Sequence, residues 1–364
     1  MAKKQFRTKD LQKLVSEIRS GEFGYEEKGE KPIDFARYNE AQVNELADMF
    51  DMIREIVDMA ATRVRGMKRG EPGRPSVPDA DIVKVLLVQS YFGVSNRVAS
   101  GHLRLFRGIL GIDKNFSYKT IERGYDPERT KVILDEVFKI TNELGNASET
   151  ECSVDGTGDP TTIKINYESR RSAQHREEAA RNIETDAFPK SGTKHNFQYS
   201  VLGAGVSTKI IAGFSTTGDH SIGELSHFPS VMQQTFDNCP QMDAIHGDGL
   251  YAARTIVGIV SRYDVIPYFL PKSNATLKSY GVFLWKRMCL ALMRNPQLWL
   301  REYHKRSIGE TVNSMIKRRE PTPIRKRLER RKDTEERLKI NVHNVRQYSY
   351  LTYLAPHLVK ELGG

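Results

Sequence analysis

Apolar side chains recur every three or four residues along the first part of the chain, which is the spacing of an amphipathic helix. The clearest run covers residues 40–63. Its apolar members are Val43, Leu46, Met49, Phe50, Ile53, Ile56 and Val57. We therefore predict that residues 1–66 are largely helical. The basic, Pro- and Gly-rich stretch 65–78 is predicted to be a linker or an exposed loop.

A second helical block starts after residue 78. Asp79 or Asp81 can cap its first helix, which Gly93 ends. Ser95 can cap the next helix, over residues 96–107. Two further helices are predicted, over residues 118–123 and 129–145.

The two helices on either side of Gly93 resemble a helix-turn-helix, because a short turn joins them and the second one is basic. Its basic residues are Arg97, His102, Arg104 and Arg107. Contact of this unit with DNA is one interpretation. Plain packing of helices against each other produces the same pattern, so both remain open at this point.

From Glu151 the period of the pattern changes to the alternation of β-strands. Strands are predicted over residues 152–155, 197–206, 209–216, 243–246 and 265–270, and helices over 221–236 and 252–263. Long helices follow to the end of the chain. The fold class predicted is α/β (α+β): a mixed domain at 146–320, preceded by a helical region at 1–145 and followed by a helical segment at 321–364.

Charge changes this picture, because 56 Lys and Arg against 46 Asp and Glu give a net charge of +10. Such a balance favours polyanionic partners, nucleic acid first and an acidic membrane second, although a generally basic protein is the plain alternative. No apolar run is long enough for a membrane span, and no apolar segment follows the basic N-terminus. The three cysteines, Cys152, Cys239 and Cys289, have no disulfide or zinc spacing. We expect a cytoplasmic protein with reduced cysteines.

Two aspartates stand at the ends of predicted strands, each next to glycine. Asp155 precedes Gly-Thr-Gly, and Asp248 precedes Gly249. Carboxylates placed in this way can converge on one cation, and Mg²⁺ prefers oxygen ligands. Capping of a turn explains an Asp-Gly pair equally well.

Four polar residues near residue 303 share one helix face. Tyr303, Arg306, Glu310 and Lys317 stand at i, i+3, i+7 and i+14, within an arc of roughly 60°. Glu310 can ligate a metal there, while the two cations hold phosphates. The alternative is a solvated face on which Arg306 pairs with Glu310.

This spacing is similar to the tyrosine-arginine-glutamate-lysine signature of insertion-sequence DDE transposases. Two, three and six residues separate the four signature positions. The segments "SVDGTGDPT", "DAIHGDGLYAARTIVGIVSRYDVIPYFLPKSNA" and "YHKRSIGETVNSMIKRR" resemble the family's two aspartate strands and its glutamate helix. The likeness extends over residues 78–350. It departs from the family pattern at Asp248-Gly249-Leu250-Tyr251, where Asp-x-Gly-Tyr is usual, so Asp243 is the fallback, and the polar stretch 163–195 is longer than expected.

The resemblance implies a ribonuclease H-like catalytic domain that cuts and joins DNA with Mg²⁺, or with Mn²⁺. Asp155, Asp248 and Glu310 would hold two ions, with Asp155 bridging both. The partners implied are double-stranded DNA, namely the terminal inverted repeats of an element and its target, and a second copy of the chain. Implied DNA contacts are Tyr303, Arg306, Lys317, Lys272, Arg97 and Arg104, with the basic stretches 170–181 and 317–332 as further candidates. The rival interpretations are a domesticated nuclease and a non-catalytic DNA-binding protein.

Overall fold

The structure is a computed structural model that describes residues 6–24, 34–64, 77–161, 197–219, 221–319 and 323–362. The predicted polar stretch at 163–195, including 170–181, lies outside the described residues. So does most of the predicted loop at 65–78.

The helices before the sheet follow the predicted pattern closely. Their bounds are α1 Thr8–Ser20, α2 Phe35–Val64, α3 Asp79–Phe92, α4 Asn96–Phe106, α5 Tyr118–Arg123 and α6 Pro127–Gly145. Gly93 ends α3 in the left-handed conformation (φ 61°), and the Ser95 hydroxyl accepts a hydrogen bond from the Val98 amide at 3.4 Å, as predicted. The predicted aspartate cap of α3 is wrong. Pro78 takes the cap position, and Asp79 instead receives a hydrogen bond from the Arg129 guanidinium at 2.8 Å.

The pair α3 and α4 divides into a buried helix and a half-exposed one. The middle of α3 is buried, whereas α4 leaves Arg97 and Arg104 exposed. His102 is a packing residue, because its ring lies 5.3 Å from that of Phe92 and 6.0 Å from that of Phe106. The geometry thus leaves two of the predicted basic residues on the outer face of α4.

Five strands within the described residues form one mixed sheet in the order β3-β2-β1-β4-β5. The bounds are β1 Glu151–Pro160, β2 Phe197–Gly205, β3 Ile211–Thr217, β4 Ala244–Gly247 and β5 Ile266–Phe269. β1 pairs antiparallel with β2, and β2 with β3, whereas β4 is parallel to both β1 and β5. The predicted fold class is confirmed: a mixed α/β architecture with many helices, compatible with a ribonuclease H-like fold.

The remaining helices cover both faces of the sheet. They are α7 Glu224–Asn238, α8 Arg254–Val260, α9 Phe283–Arg294, α10 Pro296–Tyr303, α11 Ser307–Arg319 and α12 Glu329–Leu354. Phe228 of α7 packs in one core with Val154 and Val201. On the opposite face, Val312 of α11 packs in a second core with Leu202. Each such side chain contributes about 1.5–3 kcal/mol when it is fully buried, so the two cores hold α7 and α11 firmly on opposite faces of β1 and β2.

Contacts cross between the three predicted segments. Leu11 and Val15 of α1 are fully buried in the core that also contains α7 to α10. α12 packs through Leu338, Val342 and Val345 into the large core formed by α2 to α6. The N-terminal helix therefore buttresses the sheet, and the C-terminal helix buttresses the helical region.

Within the described ranges, no helix has the length and apolar character that crossing a membrane requires. Cys152, Cys239 and Cys289 are buried free thiols.

Candidate active site

The two candidate aspartates stand side by side because β1 and β4 run parallel in matched register. Val154 pairs with Gly247, so the next residues along each strand are Asp155 and Asp248. Neighbouring strands lie about 4.8 Å apart. The prediction that Asp155 ends its strand is wrong. β1 continues to Pro160 because β2 pairs with it that far, and only β4 stops before Asp248.

The fallback residue Asp243 lies at the other end of β4. It precedes Ala244, and its carbonyl accepts a hydrogen bond from the Ile266 amide at the start of β5. Four residues of extended chain lie between Asp243 and Asp248, so the two are roughly 16 Å apart. Of these two aspartates, Asp248 is therefore the one that lies beside Asp155.

Asp248 also opens a turn, as the alternative interpretation proposed. Its Oδ1 accepts a hydrogen bond from the Leu250 amide at 2.7 Å. Tyr251, which stands three residues after Asp248 as the tyrosine of Asp-x-Gly-Tyr does, is fully buried, and its hydroxyl donates to Glu224 at 2.5 Å. The turn after Asp248 therefore places a tyrosine where it holds a further carboxylate.

The signature residues do not lie on one continuous α-helix. Tyr303 ends α10, a 3₁₀ turn covers His304–Arg306, and α11 begins at Ser307. The prediction of one unbroken helical face is therefore wrong. Three of them nevertheless stay in contact, because the Arg306 guanidinium lies 5.5 Å from the centre of the Tyr303 ring and also reaches Glu310. Lys317 lines the same cavity as Glu310.

Tyr303 is buried, and its ring stacks on Trp299 with centroids 5.5 Å apart. Glu310 has 58% of its side chain exposed and accepts a hydrogen bond from Arg306 at 2.6 Å. In this structure Arg306 and Glu310 thus form the ion pair of the alternative interpretation. An exposed pair of this kind contributes roughly 0.3–0.5 kcal/mol, so little free energy is needed to separate the two.

The start of α11 docks on β1 directly beside Asp155. A Cβ added to Gly309 would lie 2.7 Å from the Asp155 Cβ, so glycine is required for this approach. The Ser153 hydroxyl donates to the Arg306 carbonyl at 2.9 Å and accepts from the Gly309 amide at 3.2 Å. These contacts place Glu310, the next residue of the helix, beside Asp155. Both lie at the edge of the sheet where β4 ends, and "edge" refers to that end of the sheet below.

Asn313 is a site residue that the sequence reasoning missed. Its Nδ2 donates to Asp155 Oδ2 at 2.8 Å, which fixes the orientation of that carboxylate. The Oδ1 atom is buried and has no hydrogen-bond partner within the described part of the chain. Its position three residues after Glu310 was a usable signal, because residues at i and i+3 share a helix face.

Burial is the main reason that the pKa of Asp155 rises to about 6. The hydrogen bond from Asn313 opposes this rise, while the negative charges of Glu224 and Glu310 add to it. A buried carboxylate with further negative charge around it binds a cation well, because the cation relieves both the repulsion and the loss of hydration.

A cavity of about 420 Å³ opens beside Asp155. It is lined by Asp155, Gly156, Thr157, Glu310, Asn313, Ser314, Lys317 and Arg318. Lys317 is exposed and makes no ion pair with any described residue. Other cations of the predicted basic stretch are already engaged: Arg319 pairs with Glu45 at 2.8 Å, and Arg331 with Asp126 at 2.9 Å. Of these cations, Lys317 and Arg318 are the ones that line the cavity.

Lys272 lies at the same edge of the sheet, exposed in the loop that follows β5. Arg19 of α1 donates to the Pro271 carbonyl at 3.1 Å and lies close to Gly249. The N-terminal helix thus supports the loops that follow Asp248 and β5.

No group of three or more His, Cys, Asp or Glu side chains in the described part of the chain is arranged to hold a metal ion as it stands. Glu310 faces Arg306 instead, so convergence of Asp155, Asp248 and Glu310 on one ion stays a prediction. The donors nevertheless suit Mg²⁺, which prefers carboxylate and amide oxygens. The cavity beside Asp155 also offers the Asn313 Oδ1, which no other described residue engages, as a further oxygen ligand.

Comparison with known proteins adds a relative of similar length. The chain is 27% identical over 326 residues, 89% of this chain and 88% of the relative, to the probable transposase for insertion sequence element ISA1214 of Archaeoglobus fulgidus. No protein-family model matches the chain, and no solved structure matches it. Similarity to an insertion-sequence transposase is therefore confirmed over most of the chain. The roles inferred from the DDE signature stay predictions.

Proposed function

We propose that the chain is a DDE-type transposase that uses Asp155, Asp248 and Glu310 to cleave and join DNA. The observation that supports this most is the matched register of β1 and β4, which sets Asp155 beside Asp248, together with the docking of Gly309 on Asp155. Two strands and one helix thereby bring three carboxylates to one edge of the sheet. The relative from Archaeoglobus fulgidus supports the same class of activity.

Mg²⁺ or Mn²⁺ bound at this edge would activate the attacking oxygen and stabilise the leaving one. Asp155 and Asp248 would hold the ions, with Asn313 keeping Asp155 oriented. Water is the nucleophile in cleavage, and the freed 3′-hydroxyl is the nucleophile in strand transfer.

Arg306 has a second task in this proposal. It now neutralises Glu310. A DNA phosphate can accept two parallel hydrogen bonds from its planar guanidinium, whereas Glu310 accepts one here. Transfer of Arg306 to a phosphate would release Glu310 towards the cation, so DNA binding would complete the site. Lys317 and Lys272 would add phosphate contacts on either side.

Variants of Arg306 and Lys317 test this task. We expect Arg306→Ala and Lys317→Ala each to flatten the slope of log affinity against log salt by about one unit, because each removes one phosphate contact. Joining should slow in both, while Mn²⁺ binding survives. Titration of labelled DNA from the gene's flanks over a range of salt concentrations measures the slope. Arg262→Ala is the matched control, since Arg262 is exposed shortly before β5, at the opposite edge of the sheet. Slopes and joining rates equal to the wild type would leave Arg306 as a surface ion pair only.

The pH dependence of cation binding follows from Asp155. Its pKa is raised to about 6, chiefly by burial, and a cation binds only the ionised carboxylate. The affinity should be nearly constant above that pKa and fall below it. We expect the affinity for Mn²⁺ to be about tenfold weaker near pH 5 than near pH 7. Calorimetric titration at both pH values measures this, and equal affinities would contradict a role for Asp155 as a ligand.

The proposed partners are double-stranded DNA and a second copy of the chain that holds the other element end. Arg97 and Arg104 on the outer face of α4 are the proposed contacts of the helical region with DNA. Tyr303 is proposed to shape the surface around Arg306, because its stacking on Trp299 buries the ring.

The test of this function is a joining assay. Purified protein is incubated with Mg²⁺, a supercoiled target plasmid and duplexes that carry the DNA found on each side of the gene. Covalent joining of duplex to plasmid is the expected result. Cleavage without joining would identify a nuclease, and binding without metal-dependent cleavage would identify a non-catalytic DNA-binding protein; either result overturns the proposal.

A further inference from the structure

A fourth carboxylate lies at the same edge of the sheet, on the side away from α11. Glu224 is the first residue of α7, which packs on the opposite face of the sheet. The sequence reasoning gave it no role, because it is 69 residues beyond Asp155 and only the fold brings the two together.

Two tyrosines hold the Glu224 carboxylate in place. Tyr199 donates to Oε2 at 2.6 Å, and Tyr251 donates to Oε1 at 2.5 Å. Tyr199 comes from β2, and Tyr251 follows Asp248 by three residues. Two charge-assisted hydrogen bonds from separate elements leave this carboxylate little freedom to turn away.

Gly156 is the residue that lets Glu224 approach β1. A Cβ at this position would lie 2.8 Å from the Glu224 Cδ and 2.2 Å from the Tyr199 hydroxyl. The glycine directly after Asp155 therefore makes space for a carboxylate, rather than only for a turn.

The charges at this edge act on each other. Burial and the Asn313 hydrogen bond have the largest effects on the pKa of Asp155. The next largest is that of the negative charge of Glu224, which raises this pKa more than Glu310 does. Burial and Glu224 together keep the pKa of the Tyr199 and Tyr251 phenols above its usual value, so both remain hydrogen-bond donors.

A second, independent feature points to a ligand at this edge. Asn313 is 7% exposed, lines the same cavity as Asp155 and Glu310, and its Oδ1 has no hydrogen-bond partner among the residues that the structure describes. A buried amide oxygen without a partner costs roughly 1–3 kcal/mol, and a cation or one of its waters would satisfy it.

We propose that Glu224 is a fourth acidic group of the cation site, held by Tyr199 and Tyr251 so that its charge strengthens the binding of a hydrated divalent ion beside Asp155. This rests on the proposed function, because it assumes that Asp155 binds such an ion. Mg²⁺ and Mn²⁺ keep several waters when they bind to proteins, so Glu224 can act through a water while both tyrosines stay bonded.

The test measures Mn²⁺ binding to the full chain without DNA, by electron paramagnetic resonance of the free ion. Glu224→Gln keeps the shape and one acceptor for the tyrosines but removes the charge. We expect its Kd for Mn²⁺ to rise about tenfold or more, as is typical when a group next to the metal ligands is replaced. Glu224→Asp, which retains the charge, should recover part of the affinity. Glu128→Gln is the control, since Glu128 also lies in the first turn of a helix, α6, and is exposed to solvent.

The outcomes separate this inference from the function on which it rests. A Kd for Glu224→Gln equal to that of the wild type, with binding lost in Asp155→Asn, would overturn the inference and leave the proposed function intact. A Kd for Asp155→Asn equal to that of the wild type would overturn both the inference and the proposed function. Thermal melting of each variant without metal checks that the fold is retained, and a Kd rise in a variant with wild-type melting supports the inference.

Discussion

Replacing Asp155 with asparagine is expected to lower the rate of DNA cleavage by about 10³-fold or more, while DNA affinity stays within about twofold. A metal ligand contributes several kcal/mol of transition-state stabilisation, and each 1.4 kcal/mol is about tenfold in rate. Asparagine keeps the shape of the side chain, so the docking of Gly309 beside it should persist. The cations that would contact phosphates are untouched, which is why binding should survive.

Asp243→Asn is the matched control for this experiment. Asp243 is exposed at the start of β4, at the end away from Asp248, and its replacement should leave cleavage at the wild-type rate. Both cleavage rates are measured in Mg²⁺ on the same duplex, which carries the DNA found beside the gene. An Asp155→Asn protein that cleaves normally would remove Asp155 from the reaction, and an inactive Asp243→Asn protein would return the second aspartate to question.

The second large effect is expected on stability. Lys339 of α12 is only 2% exposed, and its Nζ donates to Asp159 Oδ2 at 2.7 Å. Burial raises the pKa of neighbouring Glu336 well above its usual value, and Glu336 lies farther from the Lys339 Nζ, at 3.8 Å, so Asp159 is the main partner of Lys339. Lys339→Met would leave a buried, unpaired carboxylate at Asp159. We expect the free energy of unfolding to fall by about 3–5 kcal/mol.

Denaturant unfolding of three proteins tests this expectation. The double variant Lys339→Met with Asp159→Leu removes both charges and should recover most of the lost stability, because replacing a whole buried pair is often nearly neutral. Lys332→Met is the control, since Lys332 pairs with the exposed Glu329, and its replacement should change stability by less than about 1 kcal/mol. Loss of stability in the double variant equal to that in the single one would show that the pair is not the cause. β1 also carries Asp155, so this pair anchors the strand on which the site depends.

The helices and most strands were predictable because their period depends on local sequence. α5 was predicted at its observed bounds. The length of β1 was not, because Gly156, Gly158 and Pro160 look like a turn, and only pairing with β2 keeps them extended. The break at His304–Arg306 was missed for a similar reason, since a 3₁₀ turn has no separate pattern of its own over three polar residues.

The candidate site divides in the same way. Asp155, Asp248 and Glu310 could be named from neighbouring residues and spacing. Asn313 was within reach by the same helical spacing. Glu224 was not, because its position depends on α7 packing across the sheet and on tyrosines from two other segments. Contacts between distant segments leave no periodic signal in the chain.

The most direct measurement of the central claim is a crystal structure of the protein with Mn²⁺ and a duplex from the gene's flank, with anomalous scattering used to locate the ions. We predict anomalous peaks bound by Asp155 and Asp248, with Glu310 turned from Arg306 towards the ion and Arg306 on a DNA phosphate. Peaks that do not contact Asp155 or Asp248, with Arg306 still bonded to Glu310 in the DNA complex, would contradict the account.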